Sequence, residues 1–185
     1  MKKRCEWAKI EPNTTYHDKE WGIPQHSDKK LFEFLILEGA QAGLSWSTIL
    51  NRRDGYRLAF SNFDAIKVSK YTQNHVQKLI QNKAIIRNKL KINSAINNAR
   101  QFIKIQKEFG SFDEYLWKFV NHKPIKNKFK KYSDLPSYTI ISKKLSQDLK
   151  KRGFNFVGPT ICYALMQAVG MVNDHTIDCF RYSKL

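Results

Sequence analysis

Residues 31–37 read LFEFLIL, almost wholly apolar, so whether they form a helix or a strand the rest of the chain must enclose them. Glu38 ends this run, followed by Gly39, a second glycine at Gly43, and then Leu44-Ser45-Trp46. If the run is a helix, with Ser27 as its cap, Glu38 falls near the negative end, where a carboxylate is disfavoured. A carboxylate held against that penalty and beside apolar surface has a perturbed pKa, which marks Glu38 as a candidate site residue. The plain alternative is a half-exposed surface glutamate.

Helical periodicity dominates the remainder. Ser45 precedes WSTILNRR, while Asp64 and Thr72 stand before shorter patterns, the second with Val76, Leu79 and Ile80 on one face. From 87 to about 107 the apolar Ile92, Ile96, Ala99 and Ile103 recur at three and four residues, which predicts a long amphipathic helix. Ser111 opens another helix, carrying Phe112, Leu116 and Phe119. A polar connection, basic in its first half, covers 124–136, and helices near 140–151 and 159–169 are joined by RGFNFVG. Nothing alternates with period two, and there are no repeats or long linkers. The expected class is therefore all-α, as a single domain over 1–185.

Charge narrows the partners. Lys and Arg number 33 against 16 Asp and Glu, a net charge of +17 spread along the whole chain rather than gathered in a tail. A folded surface with a positive face suits nucleic acid, although a lysine-rich composition alone has the same effect. Hydrophobic content of 42% with 13% aromatics excludes a disordered chain. The start, MKKRCEWAKIEP, lacks the apolar stretch of a secretory signal, and no window approaches the ~20 apolar residues of a membrane span. Three cysteines make no disulfide framework. These features predict a cytoplasmic protein with no membrane partner and with thiols reduced or bound to metal.

Three groups of residues carry chemistry. In the hairpin LKKRGFNFVGPTICYALMQAVG, Gly153 ends one helix and Gly158 precedes the next, with Pro159 in its first turn. Backbone amides at such a helix start, beside Lys150, Lys151 and Arg152, make an anion site suited to DNA phosphate. A plain helical hairpin has the same outline. Second, His175 and Cys179 lie four apart, on one face if helical, and Cys5 and His17 form a similar pair near the other end. Together they make a Cys₂His₂ set suited to tetrahedral Zn²⁺ that ties the termini together, with His26, His122 and Cys162 as rival ligands. Cys162 reads as core. Third, Tyr16, Trp21 and Trp46 surround Glu38 in sequence and lie near glycines or turns rather than mid-helix. Aromatic faces plus one carboxylate suit an extruded base, though each ring alone is ordinary core material.

Taken together, RCEW, YHDKEWG, KKLFEFLILEGAQAGLSW, IIRNKLKINSAINNAR, WKFVNHKP, the hairpin and NDH closely resemble the bacterial 3-methyladenine DNA glycosylase I family along almost the whole chain. The resemblance implies an all-α, helix-hairpin-helix glycosylase. Such an enzyme flips 3-methyladenine out of alkylated double-stranded DNA and hydrolyses the N-glycosidic bond, leaving an abasic site. It implies a structural zinc on Cys5, His17, His175 and Cys179, and a base pocket of Tyr16, Trp21, Glu38 and Trp46, with Glu38 as the catalytic carboxylate. It also implies DNA contacts at Gly43, Leu44 (as the wedge filling the gap), Lys151, Arg152, Gly153, Gly158 and Thr160. Two departures matter. Some relatives carry an extra aromatic upstream of YHD, where this chain has Pro12-Asn13-Thr14-Thr15, which opens one pocket wall. Asp174 and Asp178 lie where the wider superfamily keeps a catalytic carboxylate, but they flank zinc ligands and read as structural. Pro159-Thr160 replaces the lysine of bifunctional relatives, so no Schiff base forms and lyase activity is not expected. With no apolar stripe left over, the chain is expected to act as a monomer.

Overall fold

In the computed structural model, which describes residues 2–185, the apolar run is a helix, and it is the axis of the molecule. The helices are α1 (Asn13–Lys19), α2 (Asp28–Gln41), α3 (Trp46–Leu50), α4 (Arg53–Ala59), α5 (Ala65–Ser69), α6 (Gln73–Gln81), α7 (Lys89–Phe109), α8 (Phe112–Trp117), α9 (Ile140–Lys151) and α10 (Pro159–Ala168). Every residue of α2 from Leu31 to Ala40 is buried, packed among α3, α7, α8 and α10. The long helix α7 and the pair α9–α10 close around it.

Local capping accounts for most of these boundaries. The side chains of Ser45, Asp64, Asn88, Ser111 and Thr139 each accept the amide three residues on, at the starts of α3, α5, α7, α8 and α9. Asn88 shifts the start of α7 to Lys89. Its buried stripe runs Ile92, Ile96, Ala99, Phe102 and Ile105, so Ile103, expected on that stripe, is only half-buried.

Two features depart from the sequence reading. Ile125–Lys126 (β1) pairs in parallel with Val172–Asn173 (β2), so a two-stranded sheet interrupts the expected all-α class. Strands of two residues are too short to show a period. Tyr16 lies inside α1 rather than near a turn, because α1 buries only Tyr16 and His17 and carries no apolar repeat. Among the described residues no helix is long and apolar enough to cross a membrane.

One carboxylate on α2 is fully paired. Glu33, 3% exposed, accepts from Arg53 Nε at 2.8 Å and from Lys30 at 2.8 Å, while the other two Arg53 nitrogens hold Glu20, each at 2.8 Å. Burial alone would raise the Glu33 pKa, but Lys30 and Arg53 outweigh it and hold it below the usual carboxylate value. Removing Arg53 leaves Glu33 buried with Lys30 at 2.8 Å and the more distant Arg57 guanidinium at 3.6 Å. Arg53→Ala is therefore expected to cost about 3 kcal/mol in urea unfolding at pH 7, with Arg53→Lys recovering only part because an ammonium cannot fork across two carboxylates. Because the folded pKa of Glu33 is depressed, this stabilisation is present above its unfolded pKa and fades in acid, so the two stability curves should converge below about pH 4.

Candidate active site

A cavity of about 610 Å³ opens beside the C-terminal half of α2. Glu38 and Gln41 reach it from α2, Asn13 and Tyr16 from α1, Trp21 from the turn after α1, and Trp46 from the first position of α3. Thr160, Tyr163 and Gln167 of α10 form the opposite lining, together with Trp7 and residues 132–137. The rings stand against one another: Tyr16 and Trp46 have centroids 5.3 Å apart, Trp7 and Trp21 5.0 Å, and Trp7 and Tyr16 6.3 Å. All four expected pocket residues therefore meet in one place.

Polar atoms in this lining lack partners. Tyr16 Oη, Trp46 Nε1 and Asn13 Oδ1 are buried without any hydrogen bond, and they account for three of the five such side-chain atoms among the described residues. Glu38 is 4% exposed, and no described residue hydrogen-bonds its carboxyl. Burial without compensation pushes its pKa up to about 8. Tyr16 is also held well above its ordinary value, first by burial and then by the nearby Glu38. In a native protein each buried orphan costs about 1–3 kcal/mol, so three of them beside an unpaired carboxylate mark a place for a ligand.

The turn after α2 is tightly set. Lys91 Nζ donates to the carbonyls of Ala40 (2.8 Å) and Ala42 (2.7 Å), closing the end of α2. Gly43 then turns at φ +76°, a left-handed backbone that favours glycine, and Leu44 after it is 39% exposed. The α9–α10 connection is pinned as firmly. Asn97 Nδ2 donates to Gly153 O at 2.7 Å, Asn98 exchanges two 2.9 Å bonds with the Asn155 backbone, and Ser146 Oγ donates to Val157 O at 2.6 Å. Gly153 ends α9 at φ +86°, and Gly158 caps α10 with Pro159 in its first turn. No described acceptor takes the amides of Phe156, Val157 or Gly158. Lys151 is exposed beside this loop.

Arg152 and Thr160 sit differently from expectation. The Arg152 guanidinium binds Glu108 through two nitrogens (2.7 and 3.1 Å) and Asp148 through the third (2.7 Å), between the rings of Phe109 and Tyr115. Its donors are engaged within the protein, which corrects its expected place beside a phosphate. Thr160 is exposed but lines the cavity. Asp174 is buried, with its oxygens taken by Tyr163, Gln167 and Asn127, and Asp178 pairs with Lys3 and Thr176.

The chain ends meet behind the aromatic wall. Donor atoms of Cys5, His17 and Cys179 lie within 4.8 Å of one another, all buried. His175 is outside that triad. Its ring is 4.9 Å from that of His17, and its Nε2 is buried without a partner while Nδ1 sits 3.1 Å from Asn173 Oδ1. The segment from His175 to Cys179 is a turn and not a helix, closed by the Cys179 amide on Thr176 O. Hydrogen bonds from Cys5 and then His17 pull the Cys179 thiol well below its ordinary value, and burial keeps the His175 ring neutral. Asp18, itself held by Arg4, orients His17 through Nδ1 at 2.8 Å. Two sulfurs and two imidazoles with oriented outer nitrogens have the donor chemistry of a tetrahedral zinc site, with the orphaned His175 Nε2 as the candidate for the position that the triad lacks.

Sequence reasoning missed Trp7 and the 132–137 segment as pocket wall. Trp7 is two residues from Cys5, so the metal assignment itself placed it near His17, whose ring it meets edge-on at 5.4 Å. Residues 132–137 carried no signal beyond polarity.

The comparisons agree along almost the whole chain. The methyladenine glycosylase family model matches residues 7–182. The chain is 46% identical over 180 residues to DNA-3-methyladenine glycosylase 1 of Escherichia coli (strain K12), covering 97% of this chain and 96% of that one. A crystal structure of a 3-methyladenine DNA glycosylase I superposes with TM-score 0.94 at 44% identity, over 96% of this chain and 98% of that one. A tyrosine-to-phenylalanine variant of such an enzyme, in complex with 3-methyladenine, superposes with TM-score 0.93 at 34% identity over 96% of each. With its cavity, its unpaired carboxylate and this likeness along its full length, the chain belongs to the methyladenine glycosylase family of N-glycosyl hydrolases.

Proposed function

We propose that this protein excises 3-methyladenine from alkylated double-stranded DNA as a monofunctional, monomeric glycosylase, leaving an abasic site. The observation that carries the reading is the set of partnerless groups on one aromatic cavity: the Glu38 carboxyl, Tyr16 Oη and Trp46 Nε1. A DNA-binding module stapled by metal needs the charge and the hairpin but has no use for such a cavity.

Duplex DNA docks on the free amides of the α9–α10 loop, with Lys151 reinforcing the phosphate contact. Leu44 enters the stack from its glycine-set turn and occupies the gap as the damaged nucleotide swings out. The base enters between Tyr16, Trp21 and Trp46, whose faces attract its positive charge. Glu38 accepts N–H bonds from the purine edge. Protonated in the empty pocket, it ionises opposite the cation, and the pair then offsets the burial that raised its pKa. Neutral adenine brings no charge to repay that ionisation. As the C1′–N9 bond breaks, its electron pair passes to N9 and neutralises the base, water adds to C1′ and its proton leaves to solvent. The Glu38 anion favours the positive charge that develops on the sugar. No lysine lines the cavity, which leaves no amine for a Schiff base. Cys5, His17, His175 and Cys179 would hold a Zn²⁺ ion, which would supply cohesion between the chain ends and no chemistry at the base.

Three outcomes are expected. Glu38→Gln should lower release of free 3-methyladenine from methylated duplex at least 100-fold while salt-sensitive DNA binding persists; undiminished release would remove Glu38 from the chemistry. The same variant should alter stability with a defined sign. A folded pKa raised to about 8 means that wild type takes up a proton on folding, at a cost of roughly 3 kcal/mol at pH 7 that the amide does not pay. The advantage of Glu38→Gln in urea unfolding should therefore be absent at pH 4, grow with pH and level off near 8. Finally, elemental analysis of the native protein should find one zinc per chain. Cys179→Ser should lose the metal and melt on the order of 10 °C lower, whereas a metal-free protein of unchanged melting temperature would refute the site.

A further inference from the structure

The pocket holds one more acceptor that the base-binding scheme leaves unused. Asn13 is the first residue of α1 and stands one turn before Tyr16 on the same helix face. Its backbone amide donates to Ile10 O at 3.0 Å, and its side-chain Nδ2 donates to the carbonyl of Trp7 at 3.4 Å. That second bond fixes which way the amide is turned: the nitrogen faces the Trp7 turn and Oδ1 is left over. Oδ1 is buried, has no partner, and belongs to a residue that lines the cavity. A carbonyl oxygen in that state is the counterpart of a donor that arrives with a ligand.

We propose that Asn13 is a specificity-determining residue of the pocket, its Oδ1 accepting an N–H from the exocyclic 6-amino group of the flipped purine. The inference rests on the base-binding reading of the cavity. A 6-amino group carries two hydrogens in the ring plane, and the pocket contains, besides the Tyr16 hydroxyl, two buried acceptors without protein donors, Oδ1 of Asn13 and the carboxyl of Glu38. A 6-oxo purine presents a third acceptor at the same place and leaves both unsatisfied. Discrimination built on a missing hydrogen bond is stronger than discrimination built on shape, because the site's own polar atoms are stranded by the wrong ligand. Asn13 also differs from Glu38 in kind. It is neutral, so it reads the donor pattern of the base and not its charge, and its contribution is the same for cationic and neutral ligands.

Free bases test this directly by quenching of the pocket tryptophans. Wild type, Asn13→Leu, Asn13→Ala and Asn13→Asp are titrated with 3-methyladenine and with its 6-oxo analogue, 3-methylhypoxanthine. Leu and Ala remove the acceptor at two sizes, while Asp keeps it. The expected result is about tenfold weaker binding of 3-methyladenine by the Leu and Ala variants, unchanged binding of the 6-oxo base, and retention of 3-methyladenine binding by Asn13→Asp. Wild-type affinity for 3-methyladenine in Asn13→Leu or Asn13→Ala would overturn the proposal, and so would equal weakening for both bases, which marks a role in shape alone. Failure of wild type itself to bind 3-methyladenine would remove the base-pocket reading, and this inference with it.

Discussion

The fold is organised around a helix that buries two carboxylates and satisfies only one. Glu33 and Glu38 are five residues apart on α2, which turns them about 140° from each other around the axis. Glu33 pairs with Lys30 one turn back on α2 and with Arg53 of α4, and Arg53 in turn fastens α2 to Glu20 behind α1. Glu38 looks into the cavity and meets no cation. The two environments push the two pKa values in opposite directions, one below and one well above an ordinary glutamate. Pairs of titratable groups driven apart in this way are how one helix supplies both structural strength and reactivity. The stability gained at Glu33 tolerates the deficit at Glu38.

The cluster at the chain ends belongs to the same construction. Trp7 follows Cys5 by two residues, Tyr16 precedes His17, and Trp21 meets the ring of His175 at 4.5 Å. Three of the four aromatic walls are thus carried by segments that the cysteines and histidines gather. Lys3 O accepts the Phe180 amide at 2.9 Å, and Arg4 clamps Asp18, so the first residues are sewn to the last around this point. On the proposed reading, a metal held there would act on the pocket through position alone. It would place the rings, and the rings would place the base.

How much of this was legible depended on whether the cause was local. Caps at Ser45, Asp64 and Ser111 are decided within four residues, and the stripe of α7 within one helix, so both could be read, although Ser27, read as the cap of α2, makes no side-chain cap bond. The burial of Glu38 could be anticipated because the flanking sequence is apolar on all sides, but its lack of any partner could not, since that depends on what α1 and α10 fail to bring. Arg152 shows the reverse. A basic residue beside a hairpin glycine reads as a phosphate ligand, and only the arrival of Glu108 from α7, far away in sequence, reveals that its donors are engaged. The 132–137 segment had no pattern to read, because its role as pocket wall comes from where β1 and β2 anchor the chain before and after it.

The uncompensated burial of Glu38 also decides how damaged and normal bases are told apart on the proposed function. A methyl group sensed by shape is worth about 1–3 kcal/mol, which is too little against the vast excess of ordinary adenine in DNA. A unit charge about 4 Å from a carboxylate is worth about 4 kcal/mol at an effective dielectric of 20, and the undamaged base offers none of it. The pocket therefore gains more by withholding a partner from Glu38 than by fitting the methyl group tightly. A lysine or arginine beside Glu38 would make the protein more stable and would remove the vacancy in charge that a cationic base fills. Discrimination and instability at this site are the same feature, and the paired carboxylate on the other side of α2 is what lets the fold carry it.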